Sequence, residues 1–254
     1  MDLAGTKAIV TGANGGLGAA LVEQLAQHCE VVCAGVRRPD EYQPPAGNVS
    51  PLLLDLSSRT AIESAIATEP DIFAETDILI NNAGVLAAGM LEDLTPDQID
   101  QALQVNLAAT IHLTRAVLPG MLKRGRGAIV NNASFSGYVY LPMASVYAAS
   151  KAGVVAFSEA MRRELAGSGV SVTHLVTPGV RTAMLDETEQ AFGEHFDTSG
   201  WDAVEPEEWA AKAVKAIERG AAAVQPSGKT RLGILASRGP GALLDAASSR
   251  MFKR

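Results

Sequence analysis

Residues 7–28, KAIVTGANGGLGAALVEQLAQH, decide the fold. The run at 7–10 is short and apolar, the signature of a buried strand, and AALVEQLAQH repeats its apolar positions at helical spacing. Between them stands TGANGGLG, with Gly12, Gly16 and Gly18 enclosing Asn14 and Leu17. Glycines at a strand-to-helix junction let the chain turn tightly and bring its backbone against a pyrophosphate. The helix N-terminus then meets the negative charge. A plain glycine-rich turn is the competing reading, and the place of the motif at the first strand–helix junction favours a dinucleotide site.

Outward from there, EVVCAGV at 30–36 reads as a second strand ending in Arg37 and Arg38. An acidic residue at this point would take the ribose hydroxyls of NAD(H). Two guanidiniums instead match the oxygens of a 2′-phosphate, so NADP(H) is the preferred cofactor and NAD(H) the alternative. A solvated basic pair is the bland reading. A third strand, VSPLLL, leads to Asp55 and Leu56; Asp55 either accepts from the adenine amino group, or Asp55 or Ser57 caps the helix that follows. A fourth, TDILI, runs into NNAG, where Asn82, Ala83 and Gly84 place amide groups beside close backbone approach at the carboxyl end of a strand.

A polar segment, TPDQID, opens a helix through QALQVNLAATIHLTRAVLPGMLK. Asn106 lies in its apolar part, where Asn competes for backbone bonds and needs a reason to stand. It holds a water or bonds a neighbouring carbonyl. GAIVNN is the fifth strand, VSVTHLVT the sixth, and Pro178, Gly179 and Thr182 follow it. Between the two strands lies SFSGYVYLPMASVYAASK, residues 134–151. Tyr147 and Lys151 are four apart in a segment of helical composition, so they share one face. A free phenol titrates near 10, and an ammonium beside it lowers that value toward working pH. The Ser134 hydroxyl is placed to hydrogen-bond a carbonyl held against the phenol.

In order and spacing, TGANGGLG, Asp55-Leu56, NNAG, Asn106, Ser134, Y-A-A-S-K and Pro178-Gly179 resemble the short-chain dehydrogenase/reductase family over residues 5–182. The resemblance implies an α/β fold: one Rossmann-type, doubly wound, mostly parallel seven-stranded sheet with helices on both faces, spanning 1–254. It also implies a catalytic tetrad. Tyr147 is the proton donor or acceptor, Lys151 lowers its pKa and holds the nicotinamide ribose, Ser134 orients the substrate oxygen, and Asn106 positions a relay water. The expected reaction is NADP(H)-dependent interconversion of a secondary alcohol and a ketone or aldehyde. The alternatives are reduction of a C=C bond, action on a sugar, or a catalytically idle redox sensor. Four features depart from the family pattern, one being a C-terminus without the family's frequent D-G-G ending. Asn131-Asn132-Ala133-Ser134 supplies one serine candidate, PGVRT is one residue short before Thr182, and the glycine loop carries no basic residue.

The chain of 254 residues is 47 % hydrophobic and 19 % charged, a globular balance, and its net charge of −7 disfavours nucleic acid as a partner. Two cysteines, Cys29 and Cys33, and no signal peptide or membrane-length apolar run point to a reducing cytoplasm. His28, His112, His174 and His195 lack metal-ligand spacing, so no metal is expected. Residues 183–208 are acidic and turn-rich with Phe192, Phe196 and Trp201, either a substrate lid or a surface loop docked by its own aromatics. Residues 239–254 have the apolar spacing of a short amphipathic helix. Val154, Val155, Phe157 and Met161 exceed what one sheet face needs, and the family commonly pairs this helix and the Asn106 helix across a two-fold axis, so a homodimer or homotetramer is expected.

Overall fold

The computed structural model describes residues 1–196 and 203–237. In chain order its regular elements are β1 (Lys7–Thr11), α1 (Gly16–Ala26), β2 (Val31–Val36), β3 (Val49–Leu53), α2 (Arg59–Thr68), α3 (Pro70–Glu75) and β4 (Ile78–Asn81). Then come α4 (Pro96–Leu103), α5 (Ala109–Arg124), β5 (Gly127–Asn132), α6 (Ser145–Glu164), β6 (Val170–Leu175), β7 (Gly179–Val180) and α7 (Ala183–Phe192). The last are β8 (Ala203–Val204), α8 (Pro206–Arg219), β9 (Ala223–Val224) and α9 (Gly228–Ser237). Seven strands form one sheet in the order β3-β2-β1-β4-β5-β6-β9, every pair parallel. β7 and β8 pair separately.

The strands β1, β2, β4, β5 and β6 are buried on both faces, and their apolar residues divide by alternation. Ala8 and Val10, Ile78 and Ile80, and Ala128 and Val130 point to the side covered by α1 and α8, with Leu21, Leu25, Trp209 and Val214. Ile9, Leu79 and Ile129 point to the other side, against Leu113, Val117, Met121 and Met161. Period-2 runs sandwiched between helices are what a doubly wound sheet requires. Each fully buried Leu or Ile contributes about 1.5–3 kcal/mol. The sheet order reverses between β1 and β4, so the loops after these two strands leave in opposite directions and open a crevice at their carboxyl ends.

Local signals set the helix ends. Thr95 and Gln98 form a capping box at α4, the helix continues through a π-turn at Gln104–Ala108 into α5, and Gly125 in the left-handed region stops it. Ser58 caps α2 by accepting from the Ala61 amide at 3.1 Å, whereas Asp55 accepts from Ser57 at 2.9 Å within the preceding turn. The cap therefore belongs to neither of the two residues expected from the sequence.

Two other expectations are corrected. The segment after Thr182 is helical from Ala183 to Phe192 rather than a turn-rich loop. Phe192 and Phe196 are already buried, packed 5.3 Å apart with Met143 and Ala144, so neither ring waits for a closure to be covered. Trp201 and residues 239–254 lie outside the described residues. On α6, Val154 and Met161 are buried in this chain's own core and Phe157 packs against it. The exposed large apolar side chains of α4 and α5 are Leu103, Ile111 and Leu122, and others lie elsewhere, at Leu53, Leu91, Tyr140, Leu232 and Leu235. Cys29 and Cys33 are free and buried. Among the described residues no helix is long and apolar enough to cross a membrane, and no cluster of His, Cys, Asp or Glu could hold a metal.

Candidate active site

A cavity of about 460 Å³ occupies the crevice at the carboxyl ends of β1, β4, β5 and β6. Gly12, Asn14, Gly16, Leu17 and Gly18 line it from the first turn, Arg37 from the end of β2, and Asp55 and Leu56 from beyond β3. Asn82, Ala83 and Gly84 line it after β4, Ser134 and Tyr147 on the β5–α6 side, and Pro178, Gly179 and Thr182 after β6. The topology thus brings together sixteen of the residues singled out from the sequence. Arg38 stands in an adjoining hollow with Tyr42, exposed and paired with Glu41 at 3.2 Å.

The glycines are required by the protein itself. At Gly12, with φ of 64°, an added Cβ would come within 2.9 Å of the Ala83 Cα. At Gly16, with φ of 52°, it would come within 2.9 Å of the Thr182 Cγ2. At Gly18 it would fall on the carbonyl oxygen of Gly12. α1 starts at this turn with no side-chain cap and no acidic residue in its first turn. Its first amides are therefore left for an anion, and the fit to a dinucleotide pyrophosphate is good.

Lys151 and Asn106 stand behind the cavity wall. A Cβ on Gly84 would lie 3.3 Å from Asn106 Oδ1 and 3.5 Å from Lys151 Nζ, so the glycine makes room for both. Lys151 is buried and donates to the Asn132 carbonyl at 2.7 Å. Burial draws its pKa down to about 8. The Asn106 side chain is fully engaged with protein. Its Oδ1 accepts from Val85 N–H at 2.8 Å, and its Nδ2 donates to Val85 O and to Ser150 Oγ, each at 3.0 Å. Ser150 passes the contact on to the Tyr147 carbonyl at 2.7 Å. The bonds to Val85 match the backbone-bonding role open to Asn106 from the sequence, and the residue lies in the π-turn.

Tyr147 departs from expectation. Burial pushes its pKa up to about 12, and the opposing influence is the hydrogen bond from Ser134, not the ammonium. Lys151 Nζ lies 5.8 Å from the phenol ring centroid. Around neutral pH the phenol therefore keeps its proton, held against Ser134.

Residues 6–192 match the family model described as short chain dehydrogenase. The chain belongs to this family. Among curated relatives, a ketoacyl reductase of Nostoc sp. is 34% identical over 73% of this chain and 68% of the relative. A 3-oxoacyl-[acyl-carrier-protein] reductase of Vibrio cholerae is 34% identical over 70% and 75%. A D-beta-hydroxybutyrate dehydrogenase of Rhizobium meliloti is 33% identical over 71% and 73%. Among solved structures, a short chain dehydrogenase from Burkholderia cenocepacia in complex with NADP superimposes with a TM-score of 0.82 at 27% identity, covering 98% of this chain and 99% of that one. The family and its neighbours make this an oxidoreductase with a nicotinamide cofactor and a seven-stranded Rossmann-type sheet.

Sequence reasoning reached the far half of the cavity only through the 183–208 segment and its Phe192. There Leu86, Leu141, Ala144, Met184, Leu185 and Phe192 supply the walls, with Gln101 and Thr188 as polar points. They come from four separated segments with no shared motif, so only the fold assembles them. At the near end, Arg37 lines both the cavity and the adjoining hollow while Arg38 lines only the hollow, which sharpens the cofactor expectation. Arg37→Ala should weaken NADP(H) binding by ~1.5–3 kcal/mol, the cost of a lost charge-assisted hydrogen bond. Arg38→Ala should lose less, because its guanidinium already has Glu41. Calorimetric titration with both cofactors checks this, and equal losses for NAD(H) and NADP(H) would show a merely solvated pair.

Proposed function

We propose that this enzyme interconverts a neutral, largely apolar ketone or aldehyde and the matching alcohol, using NADP(H) in preference to NAD(H). The nicotinamide, when bound, supplies or accepts the hydride. The chain's residues do the rest. The glycine turn and the α1 N-terminus hold the pyrophosphate, with Asn14 and Leu17 in the turn and Asp55, Leu56, Asn82, Ala83 and Gly84 along the same wall. Pro178, Gly179 and Thr182 close the wall beyond β6, and Arg37 with Arg38 faces the 2′-phosphate. Ser134 donates to the substrate oxygen, and Tyr147 donates the proton in reduction and takes it back in oxidation. Lys151 sits behind them as a buried cation, and Asn106 locks the backbone of Val85 and Tyr147 around it.

One observation carries the substrate class. Arg37, Asp55 and Tyr147 are the only titratable side chains on the cavity wall among the described residues, and the first two belong to the cofactor end. A carboxylate or phosphate at the far end would lose its hydration and meet no cation, a cost of several kcal/mol. Apolar chains meet Leu141, Met184, Leu185 and Phe192 instead. Among the relatives, this favours the ketoacyl reductases over a hydroxybutyrate-like free acid. The exposed leucines and isoleucine of α4 and α5 suit assembly of two copies along these helices, and free Cys29 and Cys33 suit a reducing cytoplasm.

The test is a panel followed by NADPH absorbance. Neutral ketones of increasing chain length, their free-acid counterparts and sugar phosphates are compared by kcat/KM. Neutral ketones should lead, with kcat/KM rising as the chain lengthens, by roughly 0.8 kcal/mol per buried methylene. Organic acids or sugar phosphates outperforming them would overturn the assignment. Binding of NADPH with no oxidation by any member would favour the idle-sensor reading.

A further inference from the structure

Through the cavity-lining residues Thr177, Asn132 and Asn82 a hydrogen-bond rail runs across the carboxyl ends of four strands, and it begins on a helix that does not line the site. On α8, Trp209 is 1% exposed and donates its indole N–H to Thr177 Oγ1 at 3.0 Å. Thr177 donates to Asn132 Oδ1 at 2.5 Å. Asn132 Nδ2 donates to Asn82 Oδ1 at 3.1 Å, and Asn82 Nδ2 to the Thr11 carbonyl at 3.1 Å. An indole only donates and a backbone carbonyl only accepts, so the rail has one direction and each amide one orientation. Bonds in such a series polarise one another.

The rail meets the reacting groups at two points. Asn132 is the residue whose carbonyl holds Lys151 Nζ. The Thr177 carbonyl accepts from Phe135 N–H at 3.0 Å, immediately after Ser134. At its start, Trp209 lies one helical turn beyond Glu205, which pairs with Arg181 at the base of the β7–β8 pair. Trp209 also packs in the apolar cluster it shares with Leu21 and Leu25 of α1. The hydrogen bond to Thr177 is what only the indole adds.

We propose that Trp209 is a positioning residue for the reaction. It fixes Thr177 and Asn132, and through them the Lys151 ammonium and the Ser134 turn. This rests on the oxidoreductase reading. Three full-length variants test it: Trp209→Phe, which keeps ring bulk without the donor, Thr177→Val, and the double. Each single change should lower kcat about three- to tenfold, the scale of one net hydrogen bond, and shift the alkaline limb of the kcat–pH profile. The double should cost no more than the worse single, because one rail is cut twice. Thr177→Ser should restore turnover. Amide hydrogen exchange over residues 132–135 should quicken in Trp209→Phe. Wild-type kcat, pH profile and exchange in Trp209→Phe would overturn the proposal, and so would losses that multiply in the double. Should Trp209→Phe fail to fold, Thr177→Val behaving like Thr177→Ser overturns it. If the wild type turns over no carbonyl, the oxidoreductase reading falls, and exchange in the variant still decides the rail: quickened supports it, unchanged overturns it.

Discussion

Tyr147→Phe should bind NADP(H) about as the wild type does and turn over at least about a hundredfold more slowly. The reason lies in where the phenol stands. Its ring is part of the cavity wall and remains in the variant, so cofactor contacts and packing persist. What is lost is the one hydroxyl that both carries a proton at neutral pH and hydrogen-bonds Ser134. Loss of a positioned general acid costs on the order of 10²–10⁴ in rate. Because burial holds the phenol pKa near 12 in the protein by itself, the unassisted group is protonated across neutral pH and is available there only as the acid. Abstraction from an alcohol needs the pKa lowered by whatever charge accompanies substrate and cofactor. The reduction rate of the wild type should therefore hold level across neutral pH, while the oxidation rate climbs toward alkaline pH. Single-turnover rates in both directions check this. A Tyr147→Phe enzyme with wild-type turnover would remove the phenol from the mechanism.

What the sequence made legible, and what it hid, follows from the range of the contacts involved. The glycine turn, NNAG and the Tyr147–Lys151 pair are local patterns, and the alternation of Ala8, Ile9 and Val10 shows the sheet buried on both sides. Those features are written in neighbours along the chain, and the structure places the glycine turn, NNAG and Tyr147 on the cavity wall with Lys151 behind it. The reason for Gly16 is less visible, because the Cβ it must lack would strike Thr182, far along the chain. The helix at Ala183–Phe192 was obscured by its acidic residues, which face outward while Phe192 anchors the inner side. Nothing local marks Trp209 as more than core, since its partner Thr177 lies 32 residues away and across the sheet. The same holds for the pKa values. Spacing puts Lys151 one turn from Tyr147, but the depth of burial, which the sequence does not display, sends the phenol up and the ammonium down.

That burial gives the second large effect. Lys151→Met should abolish at least about 99% of turnover while leaving the unfolding temperature at pH 7 no lower than the wild type's. The activity loss follows from the place of Nζ beside Gly84 and Asn106, where it is the sole buried cation near the phenol among the described residues. The stability expectation follows from linkage. An ordinary lysine side chain titrates at 10.5, and burial lowers Lys151 to about 8. The native state thus binds fewer protons than the unfolded one between these values, and wild-type stability rises with pH across that window. Conversely, stability is lost as pH falls through about 8, because the protein must then bury a charge held by a single hydrogen bond to Asn132. The drop corresponds to about 3 kcal/mol, carried in full at pH 7 and absent above about 10.5. Methionine has a similar length and no charge, so the variant escapes the penalty at the cost of one unpaired carbonyl, worth ~1–3 kcal/mol. Its unfolding free energy should also change less between pH 8 and pH 10 than the wild type's. Denaturant unfolding at pH 7, 8, 9 and 10 measures both. A variant clearly less stable at pH 7, with the same pH slope as the wild type, would show that the ammonium stabilises the fold and titrates as an ordinary lysine.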